Sequence, residues 1–489
     1  MKILMVASEV APFVRTGGLA DVVTALSKVL DKQGHEVKIV LPRYYVINRE
    51  QLELLEGPMG VPLGFQEVWT AVYKSRIPES NVSVYFIDHE QSYGREGIYG
   101  SSTEPDYADN PLRYSLLCHS AFQLCRKLDW FPDVIHAHDW QGALAAILPK
   151  YTRQDSKFNK TATVFTVHNM GYQGVYGKHC FPHTGISWEY FYAAGFEDWD
   201  RMNFLKAGLV SADVVTTVSP TYAKEIQTPE YGFRMDGVLR FRSDTVRGIL
   251  NGIDKDSWNP AKDKFIPAKY SVKTLEKKAE NKKALQEAMG LPVTDKVPLI
   301  GIISRLTDQK GVAELFGPSY GCVPRICNDM KVQFAVLGQG ERWCENELRV
   351  LSSNLPNLKA SIKYDEKLSH LIEAGSDFYL MPSRYEPCGL NQMYSLLYGT
   401  LPIVHKTGGL NDTVENYNEE TGEGTGFVLD MLSPQSVYDT VGWAVFAWYN
   451  KKDHIRKMQE RGMKKDFSWE RAGKEYEKVY EQALKIHNK

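Results

Sequence analysis

Apolar and polar positions along the chain alternate between short unbroken apolar runs and longer one-sided stripes. Residues 2–7 form a continuous run of the kind a buried parallel strand requires. A Gly-rich loop follows. Residues 21–30 then carry apolar side chains at 22, 23, 26, 29 and 30, a spacing that predicts a one-sided helix, with Gly34 placed to end it. Residues 36–41 read as the next strand. Further strands are predicted at 82–87, 134–136, 162–167, 214–218 and 246–250, with helices at 112–128 and 143–151 among them.

The pattern changes near residue 255. Residues 254–296 are rich in Lys, Asp and Pro and carry one charged helix, 274–289, which reads as a solvated hinge with a covering helix. The alternation then restarts with strands at 298–304, 332–337, 378–381 and 401–404 and helices at 342–351 and 390–398. Two successive βα series predict an α/β protein of two doubly wound domains. We place the first over residues 1–254 and the second over 255–465. Residues 434–489 read as helical, with Trp443, Trp448 and Trp469 as docking side chains; the last stretch, 466–489, is expected to pack back on the first domain.

Composition narrows the classes. The chain's 489 residues suit two or three domains. With 58 Lys and Arg against 60 Asp and Glu, it lacks the overall basic footprint of a nucleic-acid binder. No stretch approaches the roughly 18 apolar residues of a membrane span. Seven cysteines without a CxxC pair suit a reducing compartment rather than a disulfide or zinc framework. A soluble, cytoplasmic protein is the expectation.

Ligands of open parallel sheets bind beyond the carboxyl ends of the strands, so residues that follow predicted strands are the first candidates. In the first half these are Arg15-Thr16-Gly17-Gly18-Leu19 with Asp21, then His138-Asp139-Trp140, His168-Asn169 and Asn251-Gly252. In the second half they are Arg305 with Lys310-Gly311, Gly338-Gln339-Gly340, and Ser383 through Gly389. Two domains facing across a cleft would bring both rims together. Gly17-Gly18 before a helix lets backbone N–H groups approach an anion, with the helix dipole favouring negative charge. An isolated Gly-Gly serves equally as a tight turn, and Arg15 beside it tips the reading toward an anion. Arg305 and Lys310 on one loop suit a diphosphate, the Arg as a bidentate donor and the Lys as a point charge; solvated surface charge is the competing reading. Asp139 and His168 suit sugar hydroxyls or proton transfer. Glu386 is a carboxylate on a stiff turn before a helix start. GxxxxGK[ST], HExxH, GxSxG and GxGxxG are absent, which weighs against kinase, metallohydrolase and serine-hydrolase chemistry. Thr16-Gly17-Gly18-Leu19 recurs as Thr407-Gly408-Gly409-Leu410, each copy after a predicted strand.

Six segments together carry a resemblance: SEVAPFVRTGGLADVV at 8–23, HAHDWQGAL at 136–144, FTVHNMGYQG at 165–174, LNGID at 250–254, ISRLTDQKG at 303–311, and PSRYEPCGLNQMYSLLYGTLPIVHKTGGLNDTV at 382–414. The whole chain resembles bacterial-type glycogen synthases and plant starch synthases. The resemblance implies two Rossmann-like domains across a cleft, the B-type glycosyltransferase fold. It implies a retaining hexosyltransferase that moves glucose from a nucleotide sugar, most often ADP-glucose, to the non-reducing end of an α-1,4-glucan. No cofactor and no metal are implied; the nucleotide sugar and the glucan are the partners, with neither nucleic acid nor membrane.

Carried over by position, Arg305 and Lys310 would hold the donor diphosphate. Arg15, Thr16, Gly17, Gly18 and Asp21 would close over the substrates. Asp139, His168, Asn169 and Asn251 would line the glucose pocket, with Trp140 and Tyr99 on the acceptor side. Tyr364 would stack on the base. Glu386, with the backbone of Cys388, Gly389 and Leu390, would bind the transferred glucose and departing phosphate, and Thr407 and Gly408 would lie near the donor. The family motif begins Lys-Thr-Gly-Gly-Leu, whereas this chain has Arg15, a cation of different shape and hydration. The chain opens on its first strand, as a prokaryotic cytoplasmic enzyme would; a plastid enzyme would need its transit segment removed. The rival readings are a related two-domain glucosyltransferase with another donor or acceptor, and a non-catalytic glucan-binding homologue, which would have shed the charged residues that stand here.

Overall fold

The computed structural model describes residues 1–151 and 156–489 and divides into two compact units, 1–252 with 469–489, and 253–468. The first is built on a ten-stranded sheet. Its order runs Val246–Gly248, Val214–Thr217, Ala162–Val167, Val134–His138, Lys2–Val6, Glu36–Pro42, Ser83–Asp88, Gln66–Arg76 and Glu53–Leu54, with Met59–Leu63 paired to Gln66–Arg76. Every pairing from Val246–Gly248 to Ser83–Asp88 is parallel, with Ile3 between Val37 and Val134. These strands are buried on both faces, which is why they read as unbroken apolar runs; all six residues of Ala162–Val167 are buried.

The edge that sequence reading missed is antiparallel. Gln66–Arg76 pairs with Ser83–Asp88 on one side and with Met59–Leu63 on the other. One face of it meets solvent: only Thr70 and Val72 are buried along it, while Trp69 is exposed, so burial does not follow its apolar residues. A small sheet of Val175–Gly177, Glu197–Asp198 and Arg201–Asn203 escaped because its strands are only two or three residues long. The helix Trp469–His487 packs on the helix Gly18–Lys32 and on the strand Ala162–Val167. Gly473 permits that approach, since a Cβ there would lie 2.8 Å from Val29.

The second unit is a six-stranded parallel sheet in the order Leu358–Ser361, Gln333–Leu337, Leu299–Ile303, Phe378–Met381, Leu401–His405 and Phe427–Leu429. Its two edge strands escaped the sequence reading because they are short and partly exposed. The helices Pro434–Asn450 and Lys452–Met463 add to its core, with Trp443 and Trp448 partly buried against it.

One expectation is corrected here. Within residues 254–296 the covering helix is present, but it starts later than expected and its packed side is not the solvated one its composition suggests. The α-helix is Lys278–Met289, preceded by a 3-10 turn at Val272–Lys277, and its inner face buries Lys278, Asn281, Lys282, Leu285 and Gln286. The Lys278 ammonium donates to the carbonyls of Glu373, Ala374 and Tyr398 at 3.2, 2.8 and 3.1 Å and to Thr400 Oγ1 at 2.6 Å. Burial pulls its pKa down to about 7. A charged composition therefore hid a buried polar face, because long cations can bury when carbonyls satisfy them.

Candidate active site

In the N-terminal unit the strand ends deliver a contiguous polar cluster. Asp139 is the first residue of the helix Asp139–Tyr151 directly after its strand, with φ of +51°, a left-handed conformation that costs a non-glycine residue energy. That turn aims the carboxylate at the end of the neighbouring strand, where Oδ1 accepts the His168 backbone N–H at 2.7 Å. Burial raises the Asp139 pKa from 3.8 to about 7, with the nearby Glu9 charge adding to the rise and the His168 and Asn169 N–H groups opposing it. Burial likewise lowers His168 to about 3, so its ring is neutral at physiological pH. His168 Nε2 lies 3.1 Å from His138 Nδ1. Asn169 caps a local turn by accepting Gly171 N–H at 2.9 Å. Asn251 is buried, and its Oδ1 has no hydrogen-bond partner among the described residues. Such an orphan acceptor is costly until a donor arrives.

Trp140 is enclosed by Tyr114, Tyr176 and Phe204, with ring centroids 5.0, 5.6 and 5.8 Å away. Most of its surface is thus core, and Gly174 makes room for it. Tyr99 reaches the loop after the first strand: its hydroxyl donates to Glu9 Oε1 at 2.5 Å and accepts from Ser8 Oγ at 2.9 Å.

Glu9 is the residue the sequence reading passed over. Its buried carboxylate also accepts Thr16 N–H at 2.5 Å, Thr16 Oγ1–H at 2.6 Å and Gly17 N–H at 3.3 Å. The anion held by this Gly-Gly loop is therefore the chain's own. The motif shows the loop's donors but not their partner, and only the position of Glu9, seven residues before Thr16, could have suggested it. Arg15 points outward and pairs with Asp21 at 2.8 Å. Gly18 opens the helix Gly18–Lys32.

The C-terminal unit supplies a second cluster. Lys310, at the end of the 3-10 turn Asp308–Lys310, bonds to Glu386, whose Oε2 also accepts Ser383 Oγ–H at 2.9 Å. Arg384 ties the same loops together through Asp308 at 3.1 Å and Glu314 at 2.7 Å. Arg305 is exposed and has no ion pair among the described residues. Cys388 is buried, Gly389 has φ of +71°, and their carbonyls accept Gln392 Nε2–H at 3.0 and 3.1 Å; Leu390 precedes the helix Asn391–Leu397. Thr407 is buried at the start of the helix Gly408–Thr413. Gly408, at φ of +43°, and Gly409 let that helix start press on the Glu386–Cys388 backbone: a Cβ on Gly408 would lie 1.9 Å from the Glu386 carbonyl oxygen, and Gly409 N–H donates to that oxygen at 3.1 Å. Tyr364 is 74% exposed on the loop after Leu358–Ser361, and no bond joins it to the Lys310 cluster among the described residues.

No group of three or more His, Cys, Asp or Glu among the described residues is arranged to hold a metal ion, and no described helix is long and apolar enough to cross a membrane. All seven cysteines are buried and unpaired with one another.

Comparison with known proteins places this geometry. Residues 2–241 match the family model described as the starch synthase catalytic domain, and residues 286–461 match glycosyl transferases group 1. A glycogen synthase of Treponema denticola is 63% identical over 484 residues, covering 99% of each chain. Glycogen synthase 1 of Geobacter metallireducens is 45% identical over 490 residues, covering 99% of this chain and 96% of that protein. Among solved structures, the catalytic domain of starch synthase IV from Arabidopsis thaliana, bound to ADP and acarbose, superimposes with a TM-score of 0.87 at 32% identity over 99% of each chain. A sucrose-phosphate synthase from Thermosynechococcus elongatus shares the fold, with a TM-score of 0.59 at 14% identity over 98% of each chain.

Proposed function

The chain belongs to the glycogen and starch synthase family and is a glucosyl-transferring glucan synthase, and from that premise we propose a retaining enzyme that moves glucose from ADP-glucose to the non-reducing end of an α-1,4-glucan. The observation that carries the reading is the pair Lys310–Glu386, with Lys310 on the loop that also carries Arg305, an exposed cation with no ion pair among the described residues. Together these offer a diphosphate two cations and the sugar one carboxylate. The ADP bound to the Arabidopsis starch synthase supports an adenine nucleotide as the leaving group.

The chemistry follows from the residues. As the bond from glucose C1 to the diphosphate oxygen breaks, negative charge builds on the leaving group. Arg305, Lys310 and the backbone of Cys388, Gly389 and Leu390 stabilise that charge, so no acid need protonate it. Positive charge develops on the sugar ring, and Glu386, held by Lys310 and Ser383, stabilises it. Asp139, His168, Asn169 and Asn251 hold the sugar hydroxyls, and Tyr364 stacks on the base. The acceptor's 4-hydroxyl oxygen bonds to C1 from the leaving-group face, and its proton leaves on the diphosphate. Retention then needs no covalent intermediate. Charge neutralisation by two side chains leaves the reaction independent of added metal and cofactor. We assign the enzyme to the cytoplasm on its cysteine usage.

Initial rates of transfer to glycogen from ADP-glucose and UDP-glucose, each with excess chelator, test the reading. The expected result is faster transfer from ADP-glucose, unchanged by chelation, with a product fully digested by an α-1,4-specific glucosidase. Absence of transfer from both sugars by the folded protein would overturn it.

A further inference from the structure

Three imidazoles lie one against the next in the N-terminal unit. His136 and His138 are two residues apart on one strand and share a face of the sheet; their ring centroids are 4.1 Å apart, and that of His168 is 5.4 Å beyond His138. His136 is fully satisfied, with Nδ1 2.9 Å from the Tyr480 hydroxyl and Nε2 2.6 Å from Thr166 Oγ1. His138 is not. Its Nδ1 faces His168 Nε2 at 3.1 Å, but its own Nε2 is buried without any partner among the described residues. His168 Nδ1 bonds to no described protein atom and is not sealed from solvent, so it is the nitrogen left for a ligand.

The orphan nitrogen decides where the protons are. Burial keeps all three rings neutral, and each neutral imidazole carries one N–H and one lone pair. If His168 Nε2 donated to His138 Nδ1, the His138 proton would sit on Nε2 as a buried N–H with no acceptor. If His138 Nδ1 donates, the orphan is only a lone pair. Among buried backbone groups orphaned N–H donors are rarer than under-satisfied acceptors, and the same cost falls on a ring N–H buried without an acceptor. The His168 proton is then on Nδ1.

We propose that His138 is a positioning residue: it donates Nδ1–H to His168 Nε2 and so holds His168 as the Nδ1–H tautomer, offering the sugar a donor instead of an acceptor. Beside it, Asp139 is the acceptor, so the two side chains meet a sugar hydroxyl with opposite halves of a hydrogen-bond pair. The tautomer stands on this chain's geometry alone; its use by the sugar rests on the function proposed above.

The experiment has two readouts. In the full-length protein with ¹⁵N-labelled imidazoles, long-range proton–nitrogen correlation reports which nitrogen of each ring is protonated, and the His168→Gln spectrum assigns His168. The proton is expected on Nδ1 of both His138 and His168; a proton on His168 Nε2 would overturn the proposal. Kinetics test the consequence. His138→Asn places an amide N–H where Nδ1 was and is expected to keep kcat/KM for the nucleotide sugar within about threefold, whereas His138→Leu loses roughly five- to tenfold, the worth of about one hydrogen bond. Equal losses in two folded variants would overturn the link to the sugar. Protonated Nδ1 on His168 in a protein that transfers from neither nucleotide sugar would sink the proposed function and leave the tautomer supported.

Discussion

Arg305 and Lys310 look interchangeable as donor-binding cations, yet the structure predicts that removing them costs different things. Lys310 is paired with Glu386, and the two side chains keep 14% and 8% of their exposure. Truncating one member of a buried pair strands the other charge and costs about 3–5 kcal/mol. The residual exposure of Lys310 places Lys310→Ala near the lower end, about 3 kcal/mol. At about 2–4 °C per kcal/mol for a unit of this size, the transition of the C-terminal unit should fall by about 6–12 °C. Arg305 is exposed and unpaired, so Arg305→Ala should stay within about 0.5 kcal/mol of the parent. In the proposed mechanism both variants lose a group that stabilises leaving-group charge, and both should lose roughly a hundredfold in kcat. Differential scanning calorimetry and initial rates, taken well below both transitions, read the two effects separately. Adding Glu386→Gln to Lys310→Ala should restore part of the stability, since the stranded charge is gone, and none of the activity. Equal shifts in Tm for the two single variants would refute the reasoning, as would a Lys310→Ala transition that does not move.

Asp139 should make activity depend on pH: its folded pKa of about 7 lies above the ordinary 3.8, so the carboxylate proposed to accept from the sugar forms only as pH rises through about 7, and Asp139→Asn should abolish that limb of the pH–rate profile. The same shift makes the Asp139 contribution to stability fall as pH rises from about 4 to about 7 and level off above, since folding takes up its proton in that window; pH-dependent urea denaturation of parent and Asp139→Asn checks the sign. Gly408→Ala should lower both Tm and activity, by about 2 kcal/mol or more in stability, whereas Gly18→Ala, where a Cβ meets nothing within 4 Å, should stay within about 1 kcal/mol; thermal melts of the two variants decide. Tyr480→Phe removes the hydroxyl from His136 Nδ1 and should cost about 1 kcal/mol in urea denaturation, with no change in kcat.

Strands buried on both faces were the most legible part of the sequence. Ala162–Val167 and Phe378–Met381 have the bounds that apolar runs alone suggest, because a parallel strand between two helical layers has no solvent face to interrupt it. The hairpin at Met59–Arg76 was illegible by that test, and the helix Lys278–Met289 was misread because its buried lysines look like solvent-facing ones until the carbonyls around them are known. Within the candidate site, Asp139 and His168 stood out because open parallel sheets place ligands at strand ends. Glu9 did not, since what makes it a ligand is Tyr99, ninety residues away in the chain, and a loop that folds back on it. His138 was visible as a strand-end residue, but its use depends on an unsatisfied nitrogen that no spacing reveals.

The two Thr-Gly-Gly-Leu copies show what a motif encodes and what it leaves to tertiary structure. Gly17 has φ of −156°, an extended conformation open to any residue, and neither Gly17 nor Gly18 has an atom within 4 Å of where a Cβ would be. What the first copy contributes is amide donors, and two of them, Thr16 N–H and Gly17 N–H, are already taken by Glu9. Gly408 sits at φ of +43°, and Gly409 has the Cys388 carbonyl 2.0 Å from where its Cβ would be, so the second copy contributes absence of bulk. The Thr residues diverge in the same way: Thr16 turns its hydroxyl to Glu9, while Thr407 is buried at a helix start. Identical letters after a strand thus give a donor loop in one unit and a packing surface behind Glu386 in the other. Substitution should therefore act on the first copy through its backbone partners and on the second through the position of Glu386, which is the difference the two glycine variants are set to read.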